Sequence, residues 1–109
     1  MIREKWLIPE HYKAVSIHLL QSNLASLRAR IGISQEEIAN VIGVTRQTYY
    51  AMESGKREML WGTFMSLLFF FNSIDSTAEM MRELRVFPIE LVMRFNDEIT
   101  CEEMEELLN

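Results

Sequence analysis

The stretch from Ser34 to Arg57, SQEEIANVIGVTRQTYYAMESGKR, constrains the chain most, because it writes out two short helices and the turn between them. Ser34 is a good N-cap residue, and Glu37, three positions on, completes a capping box. Gln35, Glu36 and Glu37 then place acceptors and negative charge at the positive end of the helix dipole. Ile38, Ala39 and Ile42 form a buried stripe, with small Ala39 allowing a close helix crossing. Gly43 supplies the residue past the helix end that can take positive φ. Val44 packs into the turn. Thr45 caps a second helix running to about Ser54, and Gly55 follows its end. On that helix Tyr49 and Met52 face inward, while Arg46, Gln47, Tyr50, Ala51 and Ser54 fall on one outward stripe.

The rest of the composition points the same way. In 109 residues there is room for one domain, and a hydrophobic share of 49% is enough for a folded core. Four Gly and two Pro leave little punctuation for strands and turns, so the fold class is all-α. A lone cysteine, Cys101, can close no internal disulfide and fits a reducing compartment. MIREKWLIPEHYK has no long apolar core, so it is not expected to act as a signal peptide. The most apolar run, Leu60 to Phe71, is too short to span a bilayer. A soluble, cytoplasmic protein with no membrane partner is expected. His11 and His18 lack metal-pair spacing and a cysteine companion, so no metal is expected, and no cofactor either.

Net charge is −5, an unusual sign for a nucleic-acid binder, but its distribution is uneven. Residues 1–57 carry +3 and residues 58–109 carry −8. Any contact with phosphate would therefore fall to the first half, with the acidic second half turned away from it or toward a partner.

The stretch LRARIGISQEEIANVIGVTRQTYYAMESGKR resembles the helix-turn-helix of phage repressors and Cro-like bacterial regulators, the XRE-type family. The Gly-x-Ser-Gln start, the Ile-Ala pair, the Gly-Val-Thr turn, the Gln-Thr pair and the Glu-x-Gly-Lys-Arg ending all stand at family spacing. The resemblance runs from about Leu24 to Arg57 and continues more weakly to about Leu84. It implies a five-helix repressor-like domain over residues 22–85. It also implies that Gln35 anchors to phosphate, and that Arg28 of the first helix pairs with Glu53 at the end of the recognition helix. Family members usually bind DNA as dimers.

Outside the motif, residues 1–21 read as an N-terminal helical extension. Trp6, Leu7 and Ile8 could cover part of the core, and Tyr12, Val15, Leu19 and Leu20 keep helical spacing. Leu24, Leu27 and Ile31 continue that spacing, so the run can be one long helix or two. Because relatives usually begin their first helix near Ser22 and Asn23, a break there is favoured, and either residue could cap the second piece. After Arg57 the chain departs from the family, with Met59 and Leu60 where many relatives have Pro and a capping Ser or Thr. Trp61, Phe64, Met65 and Leu68 keep the inward spacing of a fourth helix. Leu67, Phe69, Phe70 and Phe71 make that helix apolar all round, so something must cover it. Ser76 and Glu79 spell another capping box, opening a helix through about Arg85. Residues 86–109 form an acidic helical segment, packed on the domain or at a dimer interface. Within it 89–95 fits helix and strand periods equally poorly, and Thr100 with Glu103 makes a third capping box.

These residues suit recognition of duplex DNA. Arg46 can donate twice to guanine, and Gln47 can exchange a donor and an acceptor with adenine. Thr48 and Ala51 can touch a thymine methyl, and Tyr50 can reach a base or a phosphate. Gln35, Thr45, Lys56 and Arg57 are placed to hold the backbone. The function expected is a sequence-specific regulator of transcription, a repressor on a near-palindromic operator, acting as a homodimer. The alternative is an antitoxin-like or interaction module that uses its C-terminal half to bind a protein partner. No carboxylate pair sits with a base or nucleophile in a catalytic arrangement, so an enzyme is not expected.

Overall fold

The computed structural model describes residues 1–108, leaving Asn109 of the expected 86–109 segment outside the description. Among the described residues there is a 3-10 turn (Glu4–Trp6), and there are seven α-helices and no strand. The helices are α1 (Glu10–Ile31), α2 (Gln35–Ile42), α3 (Arg46–Glu53), α4 (Trp61–Asn72), α5 (Asp75–Glu83), α6 (Ile89–Phe95) and α7 (Cys101–Glu106). Ile17–Phe87 forms one compact unit, and Met1–Ser16 together with the chain from Pro88 forms another. The sequence pattern alone suggests boundaries at 21/22 and 85/86.

α1 is one helix, not two. The break expected at Ser22 and Asn23 is absent because both side chains bond back within the helix: Ser22 Oγ donates to His18 O at 2.8 Å and Asn23 Nδ2 to Leu19 O at 2.7 Å. Bonded to the carbonyls four residues earlier, neither is free to cap a new helix. Leu20, Leu24 and Leu27 carry one buried stripe straight through the supposed break.

In the unit Ile17–Phe87 that stripe meets Ile38 and Ala39 of α2, Tyr49 and Met52 of α3, Met59, three residues of α4, and Met81 and Val86. The three from α4 are Phe64, Leu67 and Phe71, so the expected set of Trp61, Phe64, Met65 and Leu68 is rotated. Met65 faces outward, and Trp61 and Leu68 pack half-buried against the core. A helix apolar on every side has no polar face to fix its rotation. Met59, just before α4, is buried in the same core. Leu60 then stands at the N-cap with no side-chain hydrogen bond, as its apolar side chain dictates.

The Ser76–Glu79 capping box does not form. Between α4 and α5 there is room for Ser73 and Ile74 alone, so α5 begins at Asp75 and Ser76 falls inside its first turn. Buried Thr77 closes the corner, donating to Phe71 O at 2.6 Å. α5 ends before the expected Arg85, which takes φ 58° and stops the helix.

In the other unit, 89–95 is helical, with Leu91 and Arg94 buried. Arg94 Nη2 donates to Glu4 O at 2.8 Å, tying α6 to the 3-10 turn. Lys5 meets Asp97 at 2.8 Å, and the Trp6 and Phe95 rings lie 6.1 Å apart. Tyr12 Oη donates to Glu90 at 3.3 Å. The Thr100–Glu103 capping box is formed and sets α7, which buries Met104.

Candidate nucleic-acid interface

α2 begins with both arms of its capping box closed. Glu37 N donates to Ser34 Oγ at 3.0 Å, and Ser34 N donates to Glu37 Oε1 at 2.9 Å. The bond from the Ser34 backbone first, and the nearby Ser34 hydroxyl second, hold the Glu37 carboxyl below the usual carboxylate range. Gly43 takes φ 78° at the helix end, a left-handed conformation that costs other residues about 1–2 kcal/mol. The turn closes with Val44 N donating to Ala39 O at 3.0 Å.

α3 opens on Thr45, whose Oγ1 accepts from Thr48 N at 3.1 Å and gives its own proton to Thr48 Oγ1 at 2.9 Å. These two hydroxyls are thus engaged with each other, leaving the Thr48 methyl as its apolar contact group. Tyr49 and Met52 are buried on the inner face. Arg46, Gln47, Tyr50 and Ser54 are exposed on the outer one, with Ala51 half-buried between them. The Lys56 ammonium lies 5.8 Å from the Tyr50 ring centroid, within cation–π range. Glu36 shares a shallow cleft with Arg46, so the stripe carries an acid beside its main cation.

Beneath the stripe, one carboxylate joins three helices. Arg28 Nη2 and Nε donate to Glu53 Oε1 at 3.0 and 3.1 Å. Gln35 Nε2 donates to Glu53 Oε2 at 2.7 Å. Glu53 is 8% exposed and Arg28 20%. Burial works to lower the Arg28 pKa, but the hydrogen bond and charge of Glu53 overcome it and hold the guanidinium above its usual value. The side chain of Gln35 has thus given one N–H to Glu53, and its second remains for another acceptor. Tyr49 Oη lies close to Arg28 without hydrogen-bond geometry. Burial first, and then the Glu53 charge, push this phenol well above the usual tyrosine range.

After α3, Gly55 takes φ 79°. Lys56 N and Arg57 N both donate to Ala51 O, at 2.9 and 3.1 Å. Gln21 of α1 completes this arrangement: its Nε2 donates to Met52 O at 2.6 Å and to Arg57 O at 2.9 Å. Sequence reasoning missed Gln21. It lies beside the apolar stripe of α1 with no motif around it, and its role emerges only when α1 crosses the end of α3.

The fold and this surface define a helix-turn-helix protein with a polar stripe on the outer face of its second motif helix. Residues 24–58 match the model of a helix-turn-helix family, which supports the likeness of that segment to XRE-type helix-turn-helix proteins. Over 36 residues the chain is 47% identical to YgzD of Bacillus subtilis (strain 168), an uncharacterized HTH-type transcriptional regulator. That match covers 33% of this chain and 54% of the relative, so the chain spans about half the length of the curated protein it matches. No solved structure matches the chain.

Proposed function

We propose that the chain is a cytoplasmic, sequence-specific regulator of transcription that binds duplex DNA, a repressor acting as a homodimer on a near-palindromic operator. The observation that carries this is the two-sidedness of α3. Its inner face is locked by Tyr49, Met52 and the Glu53 hub, while Arg46, Gln47 and Tyr50 project outward beside Lys56 and Arg57. A rigid helix presenting bidentate donors, flanked by cations, suits base reading in a major groove with the backbone held alongside. The name of the Bacillus relative supports the same direction. Arg46, Gln47, Thr48, Tyr50 and Ala51 are assigned to bases, and Gln35, Thr45, Lys56 and Arg57 to the backbone. Gln35 would use its second N–H. Thr45 would use its backbone N–H, its hydroxyl proton being engaged.

Support for the homodimer comes from α4. Phe69 is 77% exposed, and together with Val41, Met65 and Phe70 it borders an apolar groove whose lining carries no charge. Two copies of a chain with net charge −5 repel, so an uncharged face suits self-association. Selection from random duplexes tests the whole proposal. Enriched sites should be near-palindromes with half-sites about one helical turn apart, and enrichment of unrelated or single half-sites would count against it.

A second proposal, an antitoxin-like or interaction module, draws on the exposed acids Glu102, Glu103, Glu105 and Glu106 of α7. Capture of one protein partner by the full chain but not by a chain carrying Gln at those four positions would favour it.

A further inference from the structure

We propose that Gln21 is a positioning residue for DNA-backbone binding, acting through the loop that carries Lys56 and Arg57. The proposal rests on the DNA-binding reading above. The last carbonyls of a helix have no partner within it and must find one elsewhere. At the end of α3, Met52 O takes Gly55 N at 3.2 Å as well as the Gln21 amide at 2.6 Å. Arg57 O, beyond the helix, takes the other N–H of the same nitrogen at 2.9 Å. A primary amide is well suited to this place, because its two N–H bonds diverge from one nitrogen and so fix two carbonyls relative to each other.

The amide is presented from a rigid base, since Leu20 and Leu24 on either side of it are fully buried. The loop is thus pinned twice. From within, Ala51 O holds the Lys56 and Arg57 N–H groups. From α1, Gln21 holds Arg57 O. With the backbone fixed at both residues, the two cations start from a defined place, and ordering them on a phosphate costs less entropy. Gln21 touches no nucleic acid in this scheme. It acts on phosphates through the loop, and it should leave sequence preference alone.

The test uses the full chain as wild type, Gln21→Ala and Gln21→Glu, with two readouts. In amide hydrogen exchange without DNA, Gln21→Ala should speed exchange at Lys56 and Arg57 about tenfold while the amides of α2 stay unchanged. Gln21→Glu should do so more strongly, because a carboxylate faces two carbonyl oxygens with no proton to give. In titrations against a random-sequence duplex across several salt concentrations, Gln21→Ala should weaken binding and make the salt slope shallower by about one. The preference for a selected site over the random duplex should persist. Faster exchange with an unchanged salt slope would make Gln21 a brace with no part in DNA binding, and would overturn the proposal. So would an effect on exchange spread evenly over the motif, which is what simple destabilisation produces. A wild-type chain that binds no duplex would overturn the DNA-binding reading and this role with it. A wild type that binds, beside a Gln21→Ala variant unchanged in both readouts, would remove Gln21 alone.

Discussion

At the scale of residues, the Glu53 carboxylate decides how the motif is held. It is nearly buried and takes donors from Arg28 and Gln35, so the two ends of the Arg28–Glu53 pair should not be equivalent. Arg28→Ala leaves an enclosed charge with one neutral donor and should cost about 2–4 kcal/mol. Glu53→Ala leaves a guanidinium that can still reach water and should cost less. The double variant should cost less than the sum, by about 1–3 kcal/mol. Chemical denaturation of the four proteins measures this, and simple additivity would remove the pair as a coupled unit. Tyr49 gives a second handle, through pH. Its folded pKa is raised, so the stability it confers is complete below the unfolded phenol pKa near 10 and is lost as pH climbs beyond it. There the unfolded chain has shed a proton that the folded one keeps, and stability should fall by about 1.4 kcal/mol per pH unit for this one group. Tyr49→Phe should flatten the alkaline decline by that amount, and superimposable profiles would contradict the assignment. The proton in question is on a side chain 0% exposed, which is why the effect belongs to folding and not to DNA contact.

At the scale of elements, what was legible in the sequence depended on whether the deciding chemistry was local. Ser34, Glu37, Gly43, Thr45 and Gly55 act on backbone within four residues of themselves, and α2, the turn and α3 stand where those residues dictate. Thr100 and Glu103 open α7 for the same reason. Elsewhere the deciding contact was not local. Ser22 and Asn23 are cap-forming types, but inside a helix already anchored by Leu20 and Leu24 they bond to the preceding turn. Ser76 had the spacing of a cap, but the short link from α4 left it no place outside the helix. The rotation of α4 could not be read from Leu67 to Phe71, because residues apolar on all sides carry no amphipathic signal. For 89–95 neither period was clean. The structure makes it a helix whose buried residues are Leu91 and Arg94, a polar side chain that no apolar pattern would place inside. Of the candidate site, the exposure of Arg46, Gln47, Tyr50 and Ser54 on the outer face of α3 was legible from residue type and spacing. The place of Gln21 was not legible, its two acceptors lying 31 and 36 residues away.

At the scale of the whole molecule, charge and apolar surface bear on assembly. The positive half holds the motif and the negative half follows it, with net charges of +3 and −8, so DNA affinity should depend on a small number of cations, and its salt slope should be set by their count. The exposed Phe69 beside its uncharged groove should make the chain dimeric at micromolar concentration. Phe69→Glu should shift sedimentation to monomer without loss of helix content, and a wild type that is monomeric both free and on DNA would contradict the homodimer. The central claim, that α3 reads sequence, has a more direct measurement. Wild type, Arg46→Ala, Gln47→Ala and Lys56→Ala would each be titrated against a selected site and against copies of it changed at single positions. Arg46→Ala and Gln47→Ala should lose about 1–3 kcal/mol on the selected site and become indifferent to one position in each half-site. Lys56→Ala should weaken binding to every duplex alike. Should Arg46 and Gln47 both be removed with sequence preference intact, α3 is not the reader, and the account of this protein as a sequence-specific regulator working through that helix is wrong.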